Sequence, residues 1–250
     1  MHPVLWSWGP VTLYTYGVML AIAVLVAIQL AMHRAAGAHL PPDRIVDLCL
    51  ITLLGGIVGA RAVYVAQQWP LYAEAPLEIL RLDHGGLVYY GGLFGGTVAA
   101  LLAIARWRWP LWATLDLLVP SVALAQGIGR LGCFFNGCCY GVPTTLPWGV
   151  RFPGEMVARH PTQLYESAAL ILLTGALLWR GRRAVAPGTQ LAWYLIGYGA
   201  WRFLVECLRG DNPPVAGGLT FSQVVSIPLV MLGVWLLWRR RAAAPAPGRP

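Results

Sequence analysis

Hydrophobic and polar positions alternate along this chain on a scale of about twenty residues rather than two or four. Apolar runs lie near 11–32, 45–67, 86–105, 111–129, 162–179, 189–208 and 220–238. Each comes close to the roughly 20 residues that cross a bilayer as a helix. The polar breaks between them carry arginine in a regular order: Arg34 and Arg44, Arg106 and Arg108, Arg180 with Arg182 and Arg183, and Arg239 to Arg241. These fall on alternate connections and on the tail, so the positive-inside rule places them all in the cytoplasm. Trp6, Trp8, Trp69, Trp107, Trp109, Trp112, Trp179 and Trp238 stand near the run ends, as an aromatic belt does.

The pattern predicts an all-α integral membrane protein of seven transmembrane helices, N-terminus outside and C-terminus cytoplasmic. Residues 1–241 form one seven-span membrane domain in this reading. Within it, 130–161 is a small extracytoplasmic head between spans 4 and 5, too rich in Pro and Gly to cross the bilayer. The Ala/Pro-rich stretch 242–250 reads as a disordered cytoplasmic tail. Met1 to Pro10 holds no Lys or Arg and no cleavage site follows, so the first span is expected to be retained.

The polar residues inside the runs gather on one side. With about 1.5 Å of rise per residue, Tyr16, Arg61, Tyr90, Arg130, Glu166, Arg202 and Glu206 all approach the outer leaflet. Ionisable groups within a membrane face a protein interior or a cavity and mark function. Asp47 and Asp116 lie on the cytoplasmic side and read as complements to the dipoles of their own helices. Gly55 with Gly59 and Gly91 with Gly95 have the small-xxx-small spacing of closely packed helices.

Composition agrees with a lipid solvent: 58% hydrophobic, 11% charged and a mean hydropathy of +0.61, where soluble domains carry about 25% charged residues. The net charge of +8 comes from arginines clustered at span ends. It therefore reports topology, and no nucleic-acid partner is expected. Of five cysteines, Cys49 and Cys207 fall in apolar runs, whereas Cys133, Cys138 and Cys139 crowd into the head.

The densest chemistry is Gly129-Arg130-Leu131-Gly132-Cys133-Phe134-Phe135-Asn136-Gly137-Cys138-Cys139-Tyr140-Gly141. An arginine at the end of an apolar span, opening a glycine-rich loop, suits a phosphate head group, because the guanidinium offers a planar fork of donors. The alternative is a snorkelling arginine before a structural turn. Arg202 and Glu206 share a helix face, and either Glu206 orients Arg202 for an anion or the two are a buried pair that fixes helix register. His160-Pro161-Thr162-Gln163-Leu164-Tyr165-Glu166 opens the fifth span, with Gln163 and Glu166 facing inward. His160 and His84 read as loop or cap residues.

Several of these stretches, taken together, resemble the prolipoprotein diacylglyceryl transferase family. They are Tyr16-Gly17, the Gly-Gly pairs from Gly85 to Gly92, Gly129-Arg130 through Asn136-Gly137 to Gly141, His160 to Glu166, and Arg202-Phe203-x2-Glu206. They occur in the family's order from the first span to the sixth. The resemblance implies transfer of a diacylglyceryl group from phosphatidylglycerol to the thiol of a lipobox cysteine in a preprolipoprotein, with release of glycerol phosphate. It implies a multi-pass protein of the bacterial plasma membrane whose partners are phosphatidylglycerol, lipobox signal peptides and the bilayer, with no cofactor. Arg130, Arg202, Glu206, Tyr90 and Tyr16 become the catalytic candidates. Arg130, Asn136, Gly141, Arg61, His160, Gln163 and Glu166 become the phospholipid-binding ones. Tyr90 stands where family members carry histidine, Cys133 where asparagine is usual, and Cys138 where glutamate is usual.

Displacing a phosphate from a glycerol carbon needs cations on the leaving group, which Arg130 and Arg202 supply, and a thiolate, which nearby arginines favour. Tyr90 is a poor base, with an ordinary pKa near 10, and is better cast as a hydrogen-bond donor. Two other readings use the same residues: a membrane thiol–disulfide protein, and a phospholipid-binding paralogue without transfer. Cys133, Cys138 and Cys139 face the oxidising side, where a disulfide from Cys133 to Cys138 or Cys139 is expected. Cys-x4-Cys-Cys is not a standard zinc spacing, so no metal is expected.

Overall fold

The structure is a computed structural model that describes residues 1–9, 11–37, 40–81, 85–183 and 186–242. His84 and the tail from 243 onward lie outside the described residues. The chain is mostly helical. An antiparallel hairpin of β1 (Val4–Trp8) and β2 (Val11–Tyr14) leads into α1 (Thr15–Gly37) and α2 (Pro42–Gln67). A short α3 (Trp69–Glu74) and a 3-10 turn (Pro76–Leu80) precede α4 (Tyr89–Arg106) and α5 (Leu111–Asn136). Then come α6 (Thr162–Arg180), α7 (Thr189–Glu206), a small hairpin of β3 (Pro214–Ala216) and β4 (Leu219–Thr220), and α8 (Phe221–Ala242).

The seven long helices follow the seven apolar runs within a few residues, with one consequential exception. The sequence pattern ends the fourth run at Gly129 and opens a loop at Arg130; instead α5 continues as helix through Asn136. Gly132 there serves helix packing. A Cβ on Gly132 would stand 3.0 Å from Met19 Cβ and 3.2 Å from the Tyr16 ring, so α1 and α5 approach closely at this turn. The extended head segment therefore begins at Gly137.

Burial is inverted relative to a water-soluble protein. Val58, Leu102 and Leu172 are 68%, 66% and 73% exposed, while Gln163, Glu166 and Glu206 are 0%, 2% and 2% exposed. Apolar side chains outside and polar groups inside define a lipid-solvated protein. Four helices, α1, α2, α5 and α8, are long and apolar enough to cross a membrane. Part of the reason that α6 and α7 are less apolar is that they carry Gln163, Glu166, Arg202 and Glu206.

The chain packs as two compact units, residues 32–114 and residues 1–31 with 115–250, the division falling within α1 and α5. In the 32–114 unit, α2 and α4 are in backbone contact through the expected glycines. A Cβ on Gly59 or on Gly95 would lie 2.8 Å from the other's Cα, and each would also strike a carbonyl oxygen, of Gly91 and Gly55 respectively. In the other unit, Val119 and Ala123 of α5 pack with Leu170 and Leu177 of α6 and with Tyr194 of α7. Asp116 departs from expectation. It sits beyond the first turn of α5, and its carboxylate accepts the backbone N–H groups of Gly188 (2.7 Å) and Leu191 (2.8 Å), capping α7 rather than its own helix.

Candidate active site: a buried arginine–glutamate cluster

Glu166, one turn into α6 and 2% exposed, is the hub of the larger unit. Its Oε2 lies 2.5 Å from Arg130 Nε on α5, and its Oε1 lies 2.8 Å from Arg202 Nη1 on α7 and 3.8 Å from Arg209 Nη1. Arg202 also reaches Glu206 Oε2 at 2.7 Å and donates to Ser222 Oγ of α8 at 2.9 Å. Glu206 Oε1 accepts from Asn212 Nδ2 at 2.6 Å and from Thr220 Oγ1 at 2.8 Å. Glu206 is thus held from several directions and in turn holds Arg202, the orienting role expected of it. A buried ion cluster is a weak stabiliser, because desolvation offsets much of the Coulomb gain. Its concentration at one end of α5, α6 and α7 points to use rather than to stability.

Arg130 differs from its neighbours. It commits Nε to Glu166, and among the described residues no hydrogen bond reaches its Nη1 or Nη2, although its side chain is 23% exposed. A guanidinium held against Glu166 at the edge of a buried arginine–glutamate cluster, with no hydrogen bond at either N–H2 group among the described residues, suits an oxyanion.

Arg209 was not among the expected site residues. It lies just past the end of α7, where burial pulls its basicity down but the hydrogen bond and charge of Asp211 more than offset this and hold it above the ordinary value. Asp211 accepts from Nε at 2.9 Å and from Nη2 at 2.6 Å. Sequence reasoning missed it because α7 ends at Glu206 and only the turn beyond brings Arg209 to Glu166.

Other candidates prove to be framework. Gly141 crosses beneath the cluster, where a Cβ would meet the Leu208 carbonyl, His160 Cβ at 2.8 Å and Thr162 Cγ2 at 2.9 Å. Its N–H bonds to His160 O at 2.8 Å, and Val142 N–H to Leu208 O at 2.8 Å. Its place is set by close backbone packing, not by an approach to lipid. Gln163 donates Nε2 to Cys138 O at 2.5 Å, and Thr162 donates Oγ1 to Cys139 O at 2.8 Å, so the first turn of α6 fastens the loop that follows α5. His160 Nδ1 lies 3.2 Å from Tyr165 Oη, which also accepts from Trp148 Nε1 at 2.8 Å. Asn136 is exposed at the end of α5 and lies by the Cys138 thiol.

Arg61 is in the 32–114 unit, 6% exposed, and its five N–H donors all go to main-chain carbonyls. Nε bonds Ile79, Nη1 bonds Gly85 and Gly86, and Nη2 bonds Glu78 and Arg81, at 2.6 to 3.2 Å. Through these bonds Arg61 ties down the α2–α4 connection. Tyr90, in the first turn of α4 in the same unit, is 45% exposed and packs edge-on to Tyr89 at 5.4 Å.

Tyr16 is beside the cluster: its ring lies against Gly132, and its hydroxyl is in electrostatic reach of Arg130, Cys133, Cys138 and Cys139. The three cysteines converge, with all Sγ atoms within 4.8 Å of one another, and each is a free thiol in the structure. The head beyond them is pinned by Glu155, whose carboxylate accepts from Tyr140 Oη and Arg159 Nε, both at 2.6 Å. The Tyr140 hydrogen bond, with that of Arg159, holds Glu155 below the usual carboxylate range, and the same bond holds Tyr140 above the usual phenol range.

The fold and site define a helical membrane protein with a buried arginine–glutamate cluster presented by three helices. Comparison with known proteins is specific. The model of the prolipoprotein diacylglyceryl transferase family matches residues 3–239. A phosphatidylglycerol–prolipoprotein diacylglyceryl transferase of Clostridium tetani is 38% identical over 241 residues, covering 94% of this chain and 96% of that one. One of Synechococcus elongatus is 39% identical over 251 residues, covering 94% and 86%. The chain belongs to the prolipoprotein diacylglyceryl transferase family.

Proposed function

We propose that this protein transfers the diacylglyceryl group of phosphatidylglycerol to the thiol of a lipobox cysteine in preprolipoproteins. The observation that carries this reading is Arg130, paired with Glu166 at Nε and without a hydrogen bond at Nη1 or Nη2 among the described residues. In the reaction, the acceptor sulfur attacks the glycerol CH2 bearing the phosphate and a C–S bond forms. The bond from that carbon to the phosphate oxygen breaks, and the electron pair leaves on glycerol phosphate. The thiol proton passes to solvent. Negative charge grows on the departing phosphate, where Arg130 donates two hydrogen bonds. Glu166 and Glu206 position the arginines. Tyr16 borders the same place.

The setting we infer is seven spans in a bacterial plasma membrane, with N-terminus outside and C-terminus cytoplasmic. The cluster then lies toward the outer leaflet, where secreted signal peptides present their cysteine. The alternation of arginine clusters along the chain supports this orientation. The test is to offer full-length protein, in vesicles with and without phosphatidylglycerol, a lipobox peptide with Cys or Ser. The reading requires lipidation of the Cys peptide only, and only with phosphatidylglycerol present. Lipidation of the Ser peptide, or none of either, would refute it.

A further inference from the structure

We propose that Cys133, Cys138 and Cys139 bind one soft cation, zinc, as three thiolates, leaving a fourth position for an incoming thiol. The residues are separated in the chain as Cys-x4-Cys-Cys, a spacing that does not suggest a metal site. The fold nevertheless brings the three Sγ atoms within 4.8 Å of one another at the end of α5. Three sulfurs on one tetrahedral zinc, with bonds of about 2.3 Å, lie about 3.8 Å apart. A disulfide would instead draw two of them to about 2 Å and leave the third alone.

The cluster is held by its surroundings. The Cys138 N–H bonds to Cys133 O at 3.2 Å, and the carbonyls of Cys138 and Cys139 are gripped by the fully buried Gln163 and Thr162 of α6. Cys139 adopts φ +65°, a left-handed conformation that is strained for a non-glycine residue. The strained residue is one of the three that converge. Charge balances too. Three thiolates and a divalent ion carry one net negative charge, and the guanidinium groups of Arg130 and Arg209 lie in electrostatic contact with Cys133 and Cys139 respectively. Thiolates select zinc over hard cations. A zinc with three protein ligands keeps an exchangeable fourth position, as catalytic sites do.

What occupies that position rests on the transfer reading. A thiol that coordinates zinc is deprotonated outright, so the acceptor cysteine would give its proton to solvent on binding. Its sulfur, kept as thiolate beside Arg130, would then attack the glycerol carbon as the C–O bond to phosphate breaks. A base would not be needed, which fits a chain with tyrosine where relatives carry histidine.

The experiment uses full-length protein purified in detergent without chelator, then loaded with Co2+ in place of Zn2+. Elemental analysis should find one zinc per chain, and cobalt should show the sulfur-to-metal charge-transfer absorption of three thiolates. Adding a Cys lipobox peptide should raise that absorption by about one third, for a fourth thiolate, and a Ser peptide should not. Cys133→Ser, Cys138→Ser or Cys139→Ser should each lose about a third of the intensity or all of the metal. Substoichiometric zinc together with only one titratable thiol among the three would overturn the proposal in favour of a disulfide. Three free thiols that bind no metal would overturn it too. Transfer assays on the same samples separate the two readings. Metal bound without transfer would count against the proposed activity alone, and transfer without metal would count against this site alone.

Discussion

Glu166 Oε2 lies 2.5 Å from Arg130 Nε, and this contact fixes the guanidinium while leaving Nη1 and Nη2 uncommitted among the described residues. The same carboxylate holds Arg202 at 2.8 Å through its other oxygen. One acidic side chain on α6 therefore sets the position of arginines from α5 and α7. The arrangement pairs buried arginines with buried carboxylates, and it ties the position of Arg130 to helix packing.

Glu166→Gln should damage stability and activity together. It leaves three guanidinium groups around a neutral amide, and removing one partner of a buried ion pair costs about 3–5 kcal/mol. Thermal unfolding in detergent should fall by roughly 10 °C or more for a chain of this size. An unchanged unfolding temperature would show that the cluster does not depend on its hub.

Gly141→Ala should also destabilise, through sterics alone. The added Cβ meets the Leu208 carbonyl and stands 2.8 Å from His160 Cβ, and overpacking of this kind costs about 1–3 kcal/mol. Gly175→Ala is the control, since a Cβ there meets nothing within 4 Å. It should leave the unfolding temperature unchanged or raise it.

The head segment should be sensitive to pH at both extremes. Glu155 is depressed in the folded state by its hydrogen bond from Tyr140 and by Arg159, so its contribution is present above the unfolded carboxyl value of about 4.3 and is lost as pH falls below it. Tyr140 is raised by the same bond, so its contribution is present below about pH 10 and is lost as pH rises further. Limited proteolysis within 143–158 should be slow between these limits and faster beyond each. Tyr140→Phe should make the segment more readily cut at neutral pH and weaken both dependences.

Tyr90 lies in the first turn of α4 and is 45% exposed. If its hydroxyl donates one hydrogen bond to a charged group during transfer, Tyr90→Phe removes about 1.5–3 kcal/mol, a slowing of roughly ten- to a hundred-fold. Tyr90→His should retain activity and acquire a pH dependence near 6 to 7, where imidazole titrates. A Tyr90→Phe variant as fast as the parent would remove Tyr90 from the reaction.

Much of this architecture was legible because it follows from hydropathy alone. The helix ends fall within a few residues of the apolar runs, and Gly59 and Gly95 pack as their spacing implied. Arg130, Arg202, Glu206 and Glu166 were legible because a charge inside an apolar run is costly and persists where it serves a site or a partner. What stayed hidden depends on tertiary contact. Arg209 looked like a connection residue, and only the turn after α7 brings it to Glu166. Arg61 carried the same signature as Arg130, yet its donors close on the carbonyls of residues 78–86. The helical course of 130–136 was masked by a glycine-rich stretch that read as loop, in which Gly132 serves the contact with α1. The β1–β2 hairpin was masked by an apolar run continuous with α1.

The central claim is that a phospholipid phosphate rests on Nη1 and Nη2 of Arg130, and one measurement tests it most directly. Full-length protein and its Arg130→Ala and Arg130→Lys variants are placed in phosphatidylglycerol vesicles with a lipobox Cys peptide. The peptide's mass gain and the released glycerol phosphate are then counted together. The parent protein should yield both in equal amounts, Arg130→Ala neither, and Arg130→Lys little, because an ammonium cannot hold Glu166 and present a two-pronged donor at once. Parent-level transfer by a correctly inserted Arg130→Lys or Arg130→Ala protein would contradict the account.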